Sequence, residues 1–367
     1  MKLSINQAEL ANALTIVRSG ISSRPSLPIL SGVCFKAYNN VLTLQTTDLK
    51  SSVQFKINAL VEEEGEAVIP AKLLGDIVKT LADAAVHIST DEDQAHILCD
   101  AASFALKTMP AEDFPAFPNP EPEERITIKF DTFARMIKRV ARVASKDESR
   151  AILTGILLSK EGTNLKMVAT DSYRLAITEA ESVAEGSEDF EAVIESNFLQ
   201  QVASLPSVEE DIQLALSENQ IIITHQDTIF INRRIEGNYP NYRQLLPDSY
   251  ETRVEYNTQA LSTAVKRTSL LASPTSPLRF DVNVETQTTQ LSTVAKDVGT
   301  AQEIIRSEIE GTDIEIAFNY NYVLDGLNAA GTDKIYLELQ SPMKPGIFKS
   351  STEDKFLYLI MPVRIQA

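Results

Sequence analysis

The chain contains few of the residues on which catalytic and metal sites usually depend. Its 367 residues include two cysteines, three histidines and no tryptophan. No histidine has a second histidine at metal-ligand spacing, and neither a Walker-type glycine-rich loop nor a G-x-G-x-x-G motif occurs. These absences argue against metal-dependent, nucleotide-cleaving and dinucleotide-dependent enzymes. We therefore expect no cofactor and no bound metal.

Long apolar runs are also missing. The N-terminus carries no run of signal-peptide length, and no stretch is long and apolar enough to span a membrane. The two cysteines, Cys34 and Cys99, fall in alternating apolar segments, which is typical of buried, reduced thiols. We expect a soluble, cytoplasmic protein that does not bind membranes.

The sequence repeats itself. Residues 29–32 (ILSG) recur as residues 152–155 (ILTG), and Thr47-Asp48 recurs as Thr170-Asp171, in both cases 123 residues later. A strand-then-helix pattern that begins at Leu3 recurs at Ile126 and again 128 residues later. The repeats predict three tandem domains of one α+β fold, each with antiparallel strands and two helices on one face of the sheet. We place these domains at residues 1–119, 126–248 and 252–367.

The repeated aspartates, Asp48 and Asp171, have two interpretations. A residue that occurs at equivalent places in two copies is more typical of a turn or a backbone hydrogen bond than of a catalytic acid. The alternative is a three-domain hydrolase or transferase that uses both carboxylates.

One helix, beginning after Asp131, carries an unusual amount of positive charge. Five basic residues between 135 and 146 follow helical spacing, and apolar residues occupy the opposite side. The chain as a whole has a net charge of −17, so an ordinary solvated helix face is one interpretation. The other is weak, sequence-independent contact with DNA phosphates. For this second interpretation the DNA-contacting residues are Arg24, Lys138, Arg139, Arg142, Lys146, Arg150, Lys266 and Arg267.

Six motifs occur in order along the whole chain. They are residues 24–30 (RPSLPIL), 46–49 (TTDL), 109–115 (MPAEDFP), 168–175 (VATDSYRL), 239–243 (YPNYR) and 358–364 (YLIMPVR). Their combination closely resembles the bacterial sliding clamp family, the beta subunits of DNA polymerase III.

The resemblance implies a ring and no active site. Two three-domain subunits would associate head to tail as a homodimer, with helices lining a central hole and sheets outside. Double-stranded DNA would thread the hole, and the ring would serve as a processivity factor. The implied partners are the replicative polymerase alpha subunit, the clamp loader, repair polymerases and other proteins with a clamp-binding peptide. A clamp-like scaffold that does not encircle DNA is a further alternative.

The resemblance also implies a peptide pocket between the second and third domains. Ser172-Tyr173 stands where many relatives have Gly-His, and Gln244 replaces a basic residue found in some. The implied lining is Leu153, Thr170, Ser172, Arg174, Leu175, Pro240, Leu245, Met343, Pro345, Leu359, Ile360 and Met361.

Two leucine-containing segments are candidates for the dimer contact. Phe104 and Leu106 share one face of an expected edge strand in the first domain. Leu270 and Leu271 end a helix of the third domain. Because a twofold dimer contains each contact twice, one substitution there would act at both seams.

Overall fold

The computed structural model describes residues 1–22, 25–118, 125–182, 189–206, 210–273, 276–350 and 355–364. Its architecture is α+β, and a strand followed by a helix opens each of three successive repeats. The predicted fold class, α+β with three similar domains and two main helices in each, is therefore confirmed. No helix in these ranges is long and apolar enough to cross a membrane.

The elements of the first repeat are β1 (Lys2–Asn6), α1 (Gln7–Val17), β2 (Gly32–Tyr38), β3 (Val41–Thr47), β4 (Ser51–Asn58), β5 (Leu60–Glu63), β6 (Gly65–Pro70), α2 (Ala71–Thr80), β7 (Ala85–Thr90), β8 (Gln94–Cys99) and β9 (Ala102–Lys107). Those of the second are β10 (Ile126–Lys129), α3 (Phe130–Val140), α4 (Ala151–Thr154), β11 (Gly155–Glu161), β12 (Asn164–Thr170), β13 (Arg174–Glu181), β14 (Phe190–Glu195), α5 (Ser196–Val202), β15 (Asp211–Leu216), β16 (Gln220–His225) and β17 (Thr228–Arg233). Those of the third are β18 (Thr252–Asn257), α6 (Thr258–Thr268), β19 (Leu278–Asn283), β20 (Thr288–Ala295), β21 (Gly299–Arg306), β22 (Glu308–Gly311), β23 (Ile314–Phe318), α7 (Tyr320–Ala330), β24 (Lys334–Leu339), β25 (Gly346–Lys349) and β26 (Phe356–Ile360).

Local sequence explains where the helices begin. The side chain of Asn6 accepts the backbone N–H groups of Ala8 and Glu9 at 2.9 and 3.3 Å, so it caps α1. Asn257 and Asn319 cap α6 and α7 in the same way. The first strands then bury equivalent side chains in the three repeats, and Leu3, Ile126 and Val254 are each at most 2% exposed.

The described chain forms two compact units. The N-terminal unit contains residues 1–131 and 204–234, and the C-terminal unit contains residues 132–182, 189–203 and 235–364, apart from the gaps given above. The N-terminal unit has a sheet of order β5-β1-β7-β8-β9 and a sheet of order β10-β15-β16-β17-β4-β3-β2-β6. The C-terminal unit has a sheet of order β14-β11-β12-β13-β26-β25-β24-β18-β22 and a sheet of order β21-β20-β19-β23.

Each long sheet is continuous across the junction between two repeats. In the N-terminal unit β4 pairs with β17, and Ser52 lies opposite Ile231. In the C-terminal unit β13 pairs with β26, and Leu175 lies opposite Leu359. These partners are related by the offsets of 123 and 128 residues that the sequence repeats predict, so the two junctions have the same register. Backbone pairing across the junctions explains why the compact units do not coincide with single repeats.

A buried arginine crosses the junction in the C-terminal unit. Arg174, the first residue of β13, donates from Nε to Asp171 Oδ2 at 3.0 Å and from Nη1 to Asp325 Oδ2 on α7 at 2.6 Å. Nη1 also donates to the hydroxyl of Tyr358 on β26 at 3.1 Å. The guanidinium is thereby held by three elements of two repeats.

The remaining faces of the same guanidinium are also occupied. Nη2 donates to the backbone carbonyl of Arg142 at 2.8 Å, and the ring of Tyr322 lies 4.3 Å from Arg174 Cζ. Burial alone lowers the pKa of Arg174, but interactions with Tyr358, Asp325 and Asp171 outweigh burial and raise it. The guanidinium donates four hydrogen bonds, and such satisfaction by hydrogen bonds is the condition under which a buried ion pair is tolerated.

Replacement of this arginine should destabilise the C-terminal unit. Arg174→Ala leaves two carboxylates without their buried partner, so we expect a loss of about 2–3 kcal/mol of unfolding free energy. The matched control is Arg243→Ala, because the Arg243–Glu161 pair is more than half exposed on both sides and should contribute less than about 1 kcal/mol. Urea denaturation followed by circular dichroism measures both. Equal shifts for the two variants would contradict the assignment.

Candidate functional site

A turn with the same hydrogen bonds follows β3 and β12. Oδ1 of Asp171 accepts the backbone N–H groups of Tyr173 and Arg174 at 2.9 and 3.0 Å. Oδ1 of Asp48 accepts the N–H groups two and three residues further along, at 2.9 and 2.6 Å. The prediction that both aspartates make one repeated backbone contact is confirmed. These carboxylates hold the turns, which disfavours the interpretation of Asp48 and Asp171 as catalytic acids.

The middle residue of each turn has a left-handed backbone, with φ of 75° at Leu49 and 80° at Ser172. This conformation favours glycine and is uncommon for residues with a side chain, such as Leu49 and Ser172. The side chain of Thr170 supports the turn by accepting the N–H of Ser172 at 3.2 Å and donating to the carbonyl of Arg174 at 2.7 Å. Nη1 of Arg150 donates to the Ser172 hydroxyl at 3.0 Å.

Three neighbouring strand ends of the nine-stranded sheet meet beside this turn. The first residue of β13 and Gly346, the first residue of β25, both pair with Ile360. The N–H of Met361 donates to the carbonyl of Tyr173 at 2.9 Å. Pro345 immediately precedes β25. Met361 and Pro345 therefore lie at the same ends of these strands as the turn.

The aromatic segment 239–242 packs on the sheet next to these strand ends. The hydroxyl of Tyr239 donates to the carbonyl of Val168 at 3.4 Å, and burial raises the pKa of Tyr239. Tyr242 is buried in an apolar cluster that includes Leu175 and Leu359, against which Ile152 and Leu246 also pack. The four separated stretches that we predicted for the peptide pocket therefore converge on one cluster of the C-terminal unit. Tyr239 and Tyr242 belong to it although they were not among the predicted lining residues.

Only part of the predicted lining reaches the surface. Leu245, Met343 and Met361 are 47%, 62% and 39% exposed, and Ser172 and Pro240 are exposed as well. Pro345 is half-buried. The buried members are Leu153, Thr170, Arg174, Leu175, Leu359 and Ile360. In this conformation the buried residues support the surface that the exposed ones present.

The buried members also divide between the two faces of the sheet. Leu175 and Leu359 lie on the face that carries Tyr242. Arg174 and Ile360 are their neighbours along the strands and so lie on the opposite face. That face packs on α7, because Tyr358 contacts Gly326 there and Arg174 contacts Asp325. Arg174 therefore positions the turn from the helix side.

The predicted basic stripe is shorter than expected. Helix α3 ends at Val140, so Arg142 lies in a 3-10 turn (Ala141–Val143) and Lys146 lies beyond it. The carbonyl of Ala141 accepts the hydroxyl of Ser196 at 3.2 Å, so a side chain satisfies a carbonyl at the end of the helix. The prediction of one helix that continues to residue 146 is wrong.

Arg139 does not belong to the exposed stripe. It is 8% exposed, and its Nη2 donates to the carbonyl of Ala330 at the end of α7 at 3.0 Å. Its guanidinium lies 5.3 Å from the ring centroid of Phe356. The prediction of an exposed Arg139 is wrong, because the C-terminal end of α7 offers a buried carbonyl that a cation satisfies.

The other predicted DNA-contacting residues differ in what they touch. Arg142 lies 3.5 Å from Asp325, and Arg267 forms an ion pair with Glu303. Arg150 is held by Asp147 and by the turn at Ser172 rather than by α3. Arg24 lies outside the described residues. Among the predicted DNA-contacting residues in the described ranges, the exposed lysines without an ion pair are Lys138, Lys146 and Lys266.

The predicted dimer residues lie on or near strands with one free edge. β9 ends its five-stranded sheet, as predicted, and carries Phe104 at 36% exposure and Leu106 at 8%. Leu270 is 83% exposed, and Leu271 is half-buried. Sequence reasoning missed β21, which ends the four-stranded sheet and exposes 64% of Ile304. The sequence signal for an exposed apolar contact was Ile304, because it shares one face of the strand with the polar residues Thr300, Gln302 and Arg306.

The histidines and cysteines do not assemble a reactive centre. Within the described ranges, no group of three or more His, Cys, Asp and Glu side chains is placed to hold a metal ion. His87 and His96 lie on surface strands, and Nε2 of His96 is 2.9 Å from Asp91 Oδ2. Cys34 and Cys99 are buried and free, and burial raises the pKa of the Cys34 thiol to about 11.

Three family models match successive parts of the chain. They describe the N-terminal, central and C-terminal domains of the DNA polymerase III beta subunit and match residues 1–118, 127–241 and 243–364. The beta sliding clamps of Synechocystis sp. and Streptomyces coelicolor are 32% and 31% identical to this chain, with complete coverage on both sides.

Solved structures agree with the family models. A crystal structure of the DNA polymerase sliding clamp from Bacillus subtilis has a TM-score of 0.95 at 27% identity, with both chains fully covered. A sliding clamp from Pseudomonas aeruginosa bound to griselimycin has a TM-score of 0.94 at 26% identity, again with full coverage. The repeated turns, the six motifs and these matches agree, and the chain belongs to the DNA polymerase III beta subunit family, the bacterial beta sliding clamps, which are DNA processivity factors rather than enzymes.

Proposed function

We propose that this clamp is a head-to-tail homodimeric ring that encircles double-stranded DNA in the cytoplasm and tethers partner proteins to it. The partners are the replicative polymerase alpha subunit, the clamp loader and repair polymerases, each docking through a short apolar peptide. The proposed domains are residues 1–119, 126–248 and 252–367. The three family models, which match nearly the same ranges, support these bounds.

The observation that carries the proposal is the position of the free cations in an acidic protein. Lys138 and Lys266 are exposed near the ends of α3 and α6, and they are related by the repeat offset of 128 residues. The net charge of −17 would repel nucleic acid from most of the surface. Positive charge at equivalent places on repeated helices supports weak phosphate contact along one wall.

Two exposed sheet edges support ring closure. An unpaired strand edge presents free backbone N–H and C=O groups that can pair with another chain. β9 and β21 are such edges, and apolar side chains lie beside both. We propose that β9 of one subunit meets the β21 region of its partner, with Phe104, Leu106, Leu270 and Leu271 contributing apolar contact.

The apolar surface at the strand ends beside the turn at residues 170–174 supports peptide docking. Its exposed members combine the apolar side chains of Leu245, Met343 and Met361 with the hydroxyl of Ser172. Such a mixture suits an apolar anchor that is held by a few directional hydrogen bonds. Arg150, which contacts Ser172, adds a positive charge at these strand ends.

One experiment tests the ring as a whole. The protein is loaded on nicked circular DNA, the DNA is linearised, and retention of the protein is measured. A ring held by topology slides off the free ends, whereas a scaffold that binds the DNA surface stays. Retention after linearisation would therefore contradict encirclement.

Charge at the proposed seam should produce folded monomers. Leu271→Asp places a carboxylate in the apolar contact, and Leu270→Asp does so at the more exposed neighbour. Burying one leucine contributes about 1.5–3 kcal/mol, and the contact occurs twice in a twofold dimer. Sedimentation velocity measures the mass, and circular dichroism verifies folding.

The control for the seam variants is Leu60→Asp, which changes an exposed leucine of β5 away from the proposed seam. It should remain dimeric. A dimer of parental affinity in both seam variants would show that the contact lies elsewhere.

Reversal of the free lysines should weaken the salt dependence of DNA binding. Lys138→Glu/Lys266→Glu removes two phosphate contacts per chain, and each lost contact should lower the slope of log K against log salt by about 0.9. The two side chains are exposed, so thermal stability should stay nearly unchanged. Anisotropy of a labelled duplex at several salt concentrations measures the slope. Arg139 is left intact because its burial would confound the result.

The lysine control is Lys50→Glu/Lys56→Glu. It makes the same change of net charge at exposed positions on β4 and the preceding turn. Equal slopes for the two double variants would mean that the helix lysines only form a solvated face.

A charge at Met361 should abolish peptide docking and spare the dimer. Met361→Glu removes an apolar contact at the strand ends, and a buried anchor there contributes about 1.5–3 kcal/mol, so we expect at least about ten-fold weaker binding. Anisotropy of a labelled Gln-Leu-x-Leu-Phe-type peptide measures the affinity. Deletion of the tail from Leu359 is a poorer test, because Leu359 and Ile360 belong to β26 and pair with β13 and β25.

The matched control is Leu73→Glu, which places the same charge at an exposed apolar residue of α2. It should bind the peptide as the parent does. Parental affinity in the Met361 variant would place the docking surface elsewhere.

A further inference from the structure

The N-terminal unit contains a second groove at the position that corresponds to the proposed peptide site. Its volume is about 500 Å³, and it lies over the junction of β4 and β17. The residues that matter for its chemistry are Lys36, Gln45, Gln54, Phe117, Ile229 and Ile231. The groove is open to solvent and lies wholly within one compact unit.

The strand pairs at the two junctions, β4 with β17 and β13 with β26, have the same register. Ile231 lies opposite Ser52, and Ile229 lies opposite Gln54. In the C-terminal unit the equivalent pairs are Leu359 opposite Leu175 and Leu357 opposite Ile177. The two strand pairs therefore present equivalent residues on the same face of their sheets.

An aromatic segment covers part of each face. Residues 114–117 (FPAF) match residues 239–242 (YPNY) in the order aromatic, proline, any residue, aromatic. Phe117 packs against Ala215, Ile222 and Ile231, as Tyr242 packs in its own cluster. The second groove therefore has both components of the first site, a strand junction and an aromatic flank.

One wall of the second groove is polar where the first is apolar. Gln45 and Gln54 occupy the positions of Val168 and Ile177, again at the offset of 123 residues. Nε2 of Gln45 donates to Oε1 of Gln54 at 2.8 Å. Gln45 is 6% exposed, and its Oε1 has no hydrogen-bond partner in the described part of the chain.

An unpaired acceptor in a nearly buried side chain is costly unless a ligand satisfies it. The pair offers one amide acceptor and one amide donor toward the groove whichever way the two amides are oriented. A peptide main chain carries the complementary donor and acceptor. The isoleucine wall beside the pair would accept an aliphatic side chain of the same peptide.

The groove also carries positive charge. Lys36 lies 3.4 Å from Glu66, and Arg125 donates from Nη1 to Gln213 Oε1 at 3.1 Å. In the described ranges no carboxylate forms an ion pair with Arg125. Because Glu66 already pairs with Lys36, the cation that favours an acidic residue in the ligand is Arg125, which is exposed.

We propose that this groove is a second docking site for an extended peptide segment of a partner protein. The peptide places an aliphatic anchor against Ile229 and Ile231, donates a main-chain N–H to the free amide oxygen of the Gln45–Gln54 pair, and carries a carboxylate near Arg125. The site differs from the proposed peptide site in the C-terminal unit by its amide pair. The proposal goes beyond DNA encirclement and does not depend on it.

Methyl NMR of the full-length protein tests the proposal. The isoleucine δ1 methyl groups are ¹³C-labelled, and acetyl-Ala-Ile-Ala-Asp-Ala-amide is added to about 5 mM, a concentration that detects a millimolar Kd. We expect saturable shifts at Ile222, Ile229 and Ile231 that fit a single Kd. Absence of a saturable shift at these three methyl groups would overturn the proposal.

Modified peptides test the individual contacts. Methylation of the main-chain nitrogen of the peptide isoleucine should weaken binding about ten-fold, because it removes the donor to the free amide oxygen. Replacement of the peptide aspartate by lysine should weaken it about two- to five-fold, the range of exposed charge pairs. If all three peptides bind equally, the shifts do not report the proposed recognition.

A variant of the protein tests the location. Thr224 lines the groove and is half-buried, so Thr224→Trp should fill the groove and remove the shifts. Thr90→Trp places the same ring at a half-buried position of β7 and should leave them unchanged. Dilution of the protein without peptide tests a second copy as the occupant, and concentration-dependent shifts at the three isoleucines would overturn the proposal in favour of that occupant.

Discussion

The structure depends on the backbone pairing that joins successive repeats into one sheet. β4 pairs with β17, and β13 pairs with β26, in the same register. A strand with an unpaired edge must bond to another strand or to water, and here it bonds to the next repeat. This pairing creates a junction with helices on one face and an aromatic segment on the other. In the C-terminal unit, the buried Arg174 network fills the helix side, and the proposed peptide site lies beside the aromatic segment.

The repeats have kept the backbone arrangement of the junction and changed its side chains. Asp48 and Asp171 make the same two backbone contacts, because the turn geometry requires an acceptor at that position. Arg174 has no counterpart in the first repeat, where Ser51 stands and accepts the side-chain amide of Asn232 instead. The same backbone therefore supports an ionic network in one unit and neutral hydrogen bonds in the other. Chemical specialisation of the two junctions follows from substitutions at a small number of facing positions.

Features set by local chemistry could be predicted from the sequence. The repeated aspartate turns, which the sequence predicts, depend on neighbours within three residues and are confirmed. The N-cap of α1 at Asn6 depends on equally close neighbours. The burial of Arg139 could not be predicted, because its acceptor, the carbonyl of Ala330, is 191 residues away. The end of α3 depends on Ser196 in the same way. Helical spacing identifies the face on which a residue lies, but only tertiary contacts determine whether another element covers that face.

The charge distribution connects the fold with the proposed mode of action. Affinity for DNA rises with the number of phosphates neutralised, so a protein with an extended basic surface would bind tightly and move slowly. Of the predicted DNA-contacting residues, Arg139 is buried by packing, Arg142 and Arg267 are paired with carboxylates, and Lys138, Lys146 and Lys266 are exposed without an ion pair in the described ranges. In a body of net charge −17, these three lysines favour weak contact with a duplex. Retention would then have to come from closure of the proposed ring, whose strength lies in strand edges and apolar side chains that salt does not screen.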